Sequence, residues 1–306
     1  PFEFHINDGV LEGVVNGSDG LECRLKMSNF DSKVLTQFLE DERLKFSGLI
    51  FGEIWLKSNG DDFDLDTDLS LKKGIYMNES FDEMALSCLY KNGILHIDDI
   101  SMTRRGQMGI QANGIIPIKK INKQNSISLK SSFSNLSLEF IHRFIPKFYS
   151  IKGNATGNIE ISGTPNETQF DYGVTVYDSF FDLIELGVIS SRGNYDGKKL
   201  IVEYANSKHK NGLVSSYGVV PFDLNISSSK FGKILNNEKI ELFTNADIKN
   251  LFFLSPYIDE LDSAKGEFHI ELLLSGKGQN IVRSGKIEVQ NGELNTLLIS
   301  DPISSI

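Results

Sequence analysis

The sequence predicts an all-β fold: an elongated, repetitive antiparallel β-sheet, solenoid-like, with one short helix per repeat. Three observations predict it. Apolar and polar residues alternate at period two over much of the chain, as half-buried strands require. Gly, Asn, Asp and Ser interrupt the alternation about every eight to twelve residues, the spacing of hairpin turns. A longer pattern also recurs, starting at Leu25-Lys-Met-Ser-Asn-Phe30, Leu129-Lys-Ser-Ser-Phe-Ser-Asn-Leu136 and Leu242-Phe-Thr-Asn-Ala-Asp-Ile-Lys-Asn-Leu251. Units of this kind bury their apolar faces mainly against their neighbours.

Each start is followed by apolar residues at helical spacing, over 34–39, 138–145 and 251–261. A Gly-led strand comes next: Gly48-Leu-Ile-Phe-Gly52, Gly153-Asn-Ala-Thr-Gly157 and Ala264-Lys-Gly266. The first two units close alike, on Ala112-Asn-Gly-Ile-Ile-Pro117 and Ser216-Tyr-Gly-Val-Val-Pro221. The chain therefore divides into the end of a preceding repeat (1–24), repeat 1 (25–128), repeat 2 (129–241) and the start of repeat 3 (242–306).

The alternation sorts residues onto faces. Phe63, Leu65, Leu69 and Leu71 alternate with Asp62, Asp64, Asp66, Asp68 and Ser70, so one face is apolar and the other acidic. Val174 and Val176, then Phe268, Ile270, Leu272 and Leu274, then Ile287 and Val289 read the same way. These twelve residues are the candidate lining of an open apolar groove. Alternation alone fits the core of a closed sandwich or barrel equally well, since a half-buried strand looks identical in either setting.

Composition removes several function classes. Hydrophobic residues make up 40% and charged residues 24%, the balance of a folded chain. A net charge of −10 and the lack of a basic cluster beyond Lys119, Lys120 and Lys123 argue against nucleic acid as a partner. No stretch approaches the roughly eighteen apolar residues of a membrane-spanning helix. Pro1-Phe2-Glu3-Phe4 opens without Met or a leader pattern, so the chain reads as the middle section of a longer one.

Catalytic and metal chemistry has no visible seat. His5, His96, His142, His209 and His269 lie far apart and off the spacings of common metal ligands. Asp62-x-Asp64-x-Asp66 resembles the opening of a calcium loop, but Thr67 stands where the turn needs Gly and Lys73 where it needs Glu. Cys23 and Cys88 show no ligand spacing, and the sequence leaves open whether they pair. No nucleophile elbow, Walker loop or dinucleotide fingerprint occurs, so the expectation is a protein with no cofactor, no metal and no enzymatic activity. Sequons such as Asn16-Gly-Ser18 carry no weight in an Asn- and Ser-rich chain.

Gly153 to Gly163, Ser275-Gly276 with Ser284 to Leu294, and Ala112 to Pro117 together resemble the AsmA-like/TamB superfamily of bacterial envelope proteins. The resemblance covers nearly the whole chain. It implies a long β-taco, a folded-over sheet with an apolar concave face, anchored in the inner membrane by a segment outside this fragment and reaching through the periplasm toward the outer membrane. The implied function is phospholipid transport between the two membranes. The family also admits a scaffold for outer-membrane protein or autotransporter assembly, with an outer-membrane assembly (BAM-like) protein as partner. An alternative of a different class is a carbohydrate-active or adhesive β-solenoid, for which Trp55 and Tyr204 are the candidate aromatic platforms.

Overall fold

The computed structural model describes residues 1–6, 8–17, 21–37, 46–60, 62–76, 79–119, 126–139, 151–164, 166–182, 184–225, 228, 232–235, 237–250, 261–277, 280–296 and 299–304. They form an all-β protein built from open antiparallel sheet. The chain falls into two compact units: residues 1–136 with 158–164, and residues 137–157 with 165–306.

Unit 1 is a meander of β1 (Phe2–Ile6), β2 (Gly9–Asn16), β3 (Glu22–Asp31), β4 (Phe46–Asn59), β5 (Asp62–Tyr76), β6 (Glu79–Lys91), β7 (Ile94–Arg104), β8 (Gln107–Pro117) and β9 (Ile127–Ser137). Every register in it joins consecutive strands. The turns are tight because the sequence supplies residues that tolerate positive φ. Asn92 (φ 54°) and Gly93 (φ 79°) make a two-residue hairpin between β6 and β7. The acidic run 62–68 lies within β5, so Asp66 and Asp68 are the wet side of a strand.

The core of unit 1 is Met27, Phe30 and Ile50, with Leu11, Val34, Phe46, Ile54, Leu69 and Leu71 packed around them. Burying one such side chain fully is worth about 1.5–3 kcal/mol. This cluster fixes one end of the meander.

Unit 2 continues the plan. Its main strands are β11 (Glu167–Phe181), β12 (Ile184–Tyr195), β13 (Leu200–His209), β14 (Gly212–Val220), β17 (Lys239–Ile248), β18 (Leu261–Lys277), β19 (Asn280–Thr296) and β20 (Ile299–Ser304). They too pair in chain order. β10 (Ile151–Thr164) divides its residues between the units. A two-stranded ribbon, β15 (Phe222–Asp223) with β16 (Lys233–Ile234), interrupts the meander between β14 and β17.

That ribbon is tied down by a polar network around buried Tyr195. The Leu224 N–H donates to the Tyr195 hydroxyl at 3.0 Å, Asn225 accepts from the Thr168 N–H at 3.0 Å, and Ser228 donates to Asp223 at 2.6 Å. Burial is the leading cause that pushes the Tyr195 phenol above its ordinary range.

The three sequence starts fall on β3, β9 and β17, with six main strands from each to the next. Asn29 and Asn135, each just before the apolar residue that ends its segment (Phe30 and Leu136), both adopt positive φ (56° and 52°). The expected helix per repeat is corrected. The first is a single turn, α1 (Lys33–Thr36), held by backbone bonds from Thr36 N to Ser32 O (3.0 Å) and Gln37 N to Lys33 O (3.1 Å). A segment this short cannot sustain helix alone, because nucleation outweighs so few hydrogen bonds. Val34 survives in it by packing on the core. Of the second, Leu138 and Glu139 are helical and the rest lies outside the described residues, as does all of the third except Leu261, which begins β18.

Gly114 (φ 146°) and Gly218 (φ 144°) occupy equivalent sites in the two closing strands. A Cβ on Gly114 would stand 2.0 Å from Ser128 O, and one on Gly218 2.1 Å from Glu241 O. Both backbone conformation and space therefore demand glycine. Gly114→Ala and Gly218→Ala should each destabilise the protein by about 1–3 kcal/mol in urea unfolding. Gly17→Ala, which meets nothing within 4 Å, should stay within about 0.5 kcal/mol of wild type.

Candidate functional site

Residues directly opposite each other in antiparallel strands share a face, so the registers define rows of side chains running across each unit. In unit 1 one row is Leu11, Met27, Gly52, Leu69, Leu86, Ile100 and Ala112. The next is Leu25, Ile54, Thr67, Cys88, Ile97, Gly114 and Leu129. On one flank lies Val15, Cys23, Leu56, Leu65, Tyr90, Leu95 and Ile116. On the other lies Phe30, Ile50, Leu71, Met84, Met102, Ile110 and Phe133. None of these four rows carries a charged residue.

The opposite face of the same strands is ionic. Glu12, Lys26, Glu53 and Asp68 form one of its rows, with Lys26 Nζ 3.6 Å from Glu53 Oε1. Beside it, Glu22 Oε1 accepts from Trp55 Nε1 at 2.9 Å and from Arg24 Nε at 3.1 Å. The Trp55 hydrogen bond, and then Arg24, hold the Glu22 carboxyl below its ordinary value. Arg24 also lies over the Trp55 ring, 5.8 Å from its centroid. A concavity of about 790 Å³ here has a mixed lining, in which Glu12, Lys26 and Glu53 stand beside Phe2, Val14 and Ile54.

Unit 2 repeats the separation. Val176, Ile189, Ser207, Val214, Ala246, Ile270 and Ile287 make one row, and Val174, Ser191, Ala205, Ser216, Thr244, Leu272 and Gly285 the next. Beyond them run Tyr172, Gly193, Val202, Gly218, Leu242, Leu274 and Arg283 on one side, and His209, Gly212, Ile248, Phe268 and Val289 on the other. The hydroxyls on this face bond to each other: Ser216 with Thr244 at 2.9 Å and Tyr172 with Ser191 at 3.2 Å. His209 Nδ1 accepts from the Asn211 N–H at 3.3 Å, and its Nε2 lies 3.2 Å from Glu185.

All twelve candidate residues lie on these apolar faces, but their environments differ. Leu69 and Leu71 belong to the packed core of unit 1, and Val176 is 8% exposed. Phe63 is 39% exposed, its ring 4.7 Å from Tyr90 and 5.7 Å from Lys119 Nζ. Leu272 (37%) and Ile287 (68%) are open to contact, while Leu65, Val174, Phe268, Ile270, Leu274 and Val289 are half-buried. The sequence reading missed the contribution of β6 and β7, where Met84, Leu86, Tyr90, Leu95, Ile97 and Met102 join the same face.

Cys23 and Cys88 are unpaired. They stand in different rows on strands three apart, roughly 14 Å at sheet spacing, beyond disulfide reach. Burial is the main cause that pushes the Cys88 thiol up. Among the described residues no group of three or more His, Cys, Asp or Glu side chains is arranged to hold a metal, and no helix is long and apolar enough to cross a membrane.

No family model, curated protein or solved structure matches the chain. The protein is thus defined by its own geometry, as a class of antiparallel meander whose two faces are apolar and ionic.

On the ionic face of unit 2, His269 Nδ1 lies 2.7 Å from Asp247 Oδ1 and Nε2 lies 3.4 Å from Glu271 Oε1. The Asp247 bond first, and Glu271 second, raise the imidazole above 6.5. A raised value means its stabilising contribution is present below the unfolded value and is lost as pH rises through the folded one. An NMR titration should place the His269 midpoint above 6.5, and Asp247→Asn should bring it down.

Proposed function

We propose that this protein carries phospholipid along an apolar groove between the inner and outer membranes of a diderm bacterial envelope, working in the periplasm without turnover. The observation that carries this reading is the set of uncharged rows spanning unit 1, with their counterpart in unit 2. An acyl chain of about sixteen carbons costs on the order of 13 kcal/mol to leave bare in water, at about 0.8 kcal/mol per methylene. A face without charges removes most of that cost with no ionic group to desolvate. The elongated β-taco with a concave inner surface, and the resemblance to the AsmA-like/TamB superfamily, belong to the same proposal.

Two features support lipid over sugar as the cargo. Trp55 is committed, with its N–H on Glu22 and Arg24 over its ring, so it makes a poor sugar platform. The half-buried character of much of the apolar face supports an open groove, since a finished core would be dry.

The test is native mass spectrometry of the protein purified from a Gram-negative host, with extraction of any bound lipid. Phospholipid should co-purify with wild type. Leu272→Asp or Ile287→Asp should lower its occupancy about tenfold or more while the far-UV signal of β-structure persists. Met27→Asp, placed in the packed cluster, should instead unfold unit 1. A wild-type protein that is monodisperse and lipid-free would overturn the reading.

A further inference from the structure

On the apolar face of unit 2, one side chain does not belong. Arg283 stands opposite Leu274, in the row that continues through Leu242 and Gly218. It is the only Asp, Glu, Lys or Arg on the four rows traced across this face. The other cation of β19, Lys286, lies 2.5 Å from Glu288, and Lys239 of β17, two strands away, lies 2.7 Å from Glu241. Among the described residues Arg283 has no ion pair and no hydrogen-bonded side-chain partner.

A guanidinium in that position is acceptable while hydrated, but it loses water when a hydrocarbon chain covers the residues around it. It then requires an anion, and it offers five donors in a planar fork suited to phosphate or carboxylate. Gly285, two residues along β19, adds no side chain to this face, and the backbone of β18 closes against it, with Glu271 O 2.2 Å from the place a Cβ would take. Leu272 and Leu274 on β18 offer adjoining apolar surface for the chain that follows the headgroup.

We infer that Arg283 is a headgroup-binding residue that selects anionic amphiphiles, receiving the phosphate or carboxylate while the acyl chain lies over β18 and β17. This rests on the groove reading above and adds to it the chemical class of the cargo. The net charge of −10 sharpens the point, because the ionic faces of this chain give an anionic lipid no general attraction.

The experiment is calorimetric titration of the 306-residue chain with three single-chain probes below the concentrations at which they aggregate: lysophosphatidylglycerol, oleate and monolauroylglycerol, which has neither phosphate nor carboxylate. Wild type should bind the anionic probes about tenfold more tightly than monolauroylglycerol, the scale of a charge-assisted bidentate contact. Arg283→Gln should remove that preference and leave the affinity for monolauroylglycerol unchanged, while Arg283→Lys should retain part of it. A stronger response to lysophosphatidylglycerol assigns the site to phosphate, and a stronger response to oleate assigns it to carboxylate.

Equal binding of all three probes by wild type, or an anionic preference that survives Arg283→Gln, overturns the role of Arg283 alone. Failure of all three to bind overturns the groove and the headgroup site together. Far-UV circular dichroism of both variants confirms that the fold is intact, as expected for an exposed side chain.

Discussion

Antiparallel register is the constraint on which everything else in this protein depends. Because side chains alternate sides, a slip of one residue in any strand would move its apolar set to the ionic face. Strand after strand in unit 1 keeps Leu, Ile, Met and Cys opposite one another while Glu12, Lys26, Glu53 and Asp68 stay on the other side. The acidic residues of β5 reinforce this. Exchanging Asp68 with Leu69 would drive a carboxylate against the Met27–Phe30–Ile50 cluster, and exchanging Asp66 with Leu65 would put another between Leu56 and Tyr90.

Keeping register over so many strands requires local irregularities, since long twisted strands drift. β3 shifts register between Met27 and Phe30, β7 between Ile97 and Ile100, and β12 against β13 between Arg192 and Gly193. Each shift restores the apolar set to its face beyond the bulge, as with Ile97 and Ile100, which stand in neighbouring rows despite their odd spacing. Asn29 at positive φ sits in one such shift, and Gly114 and Gly218 allow the closing strands to approach their neighbours. Within each unit the apolar face runs on from strand to strand because these positions absorb the mismatch.

Much of this was legible in the sequence. The alternation over 62–71 marks β5 and both its faces, and the recurring Leu-Lys-Met-Ser-Asn-Phe pattern marks the strand from which six more are counted to its counterpart. Asn92-Gly93 marks a hairpin because both residues accept positive φ. Other features were hidden. Bulges broke the parity of β7, so Leu95 and Ile97 fell out of step with Ile100 and Met102 and the face could not be followed by counting. Leu89 lies on the ionic side next to Tyr90, which blurs the alternation of β6. Of the helical spacing over 34–39, residues 34–36 lie in the single turn α1, and 38–39 lie outside the described residues. Arg283 has the parity of Ile287 and Val289, so counting back along β19 already places it on the apolar face, and the alignment with β18 sets Leu274 opposite it.

The central claim, that the uncharged rows are a surface for hydrocarbon, is tested most directly by photocrosslinking with a phospholipid bearing a diazirine in its acyl chain, followed by peptide mapping. The account predicts adducts on residues of the apolar rows, such as Leu65, Leu86, Met102, Leu272 and Ile287, and none on Trp55, Asp66 or Glu271 of the ionic faces. Adducts on the ionic faces, or their absence from both units, would contradict it.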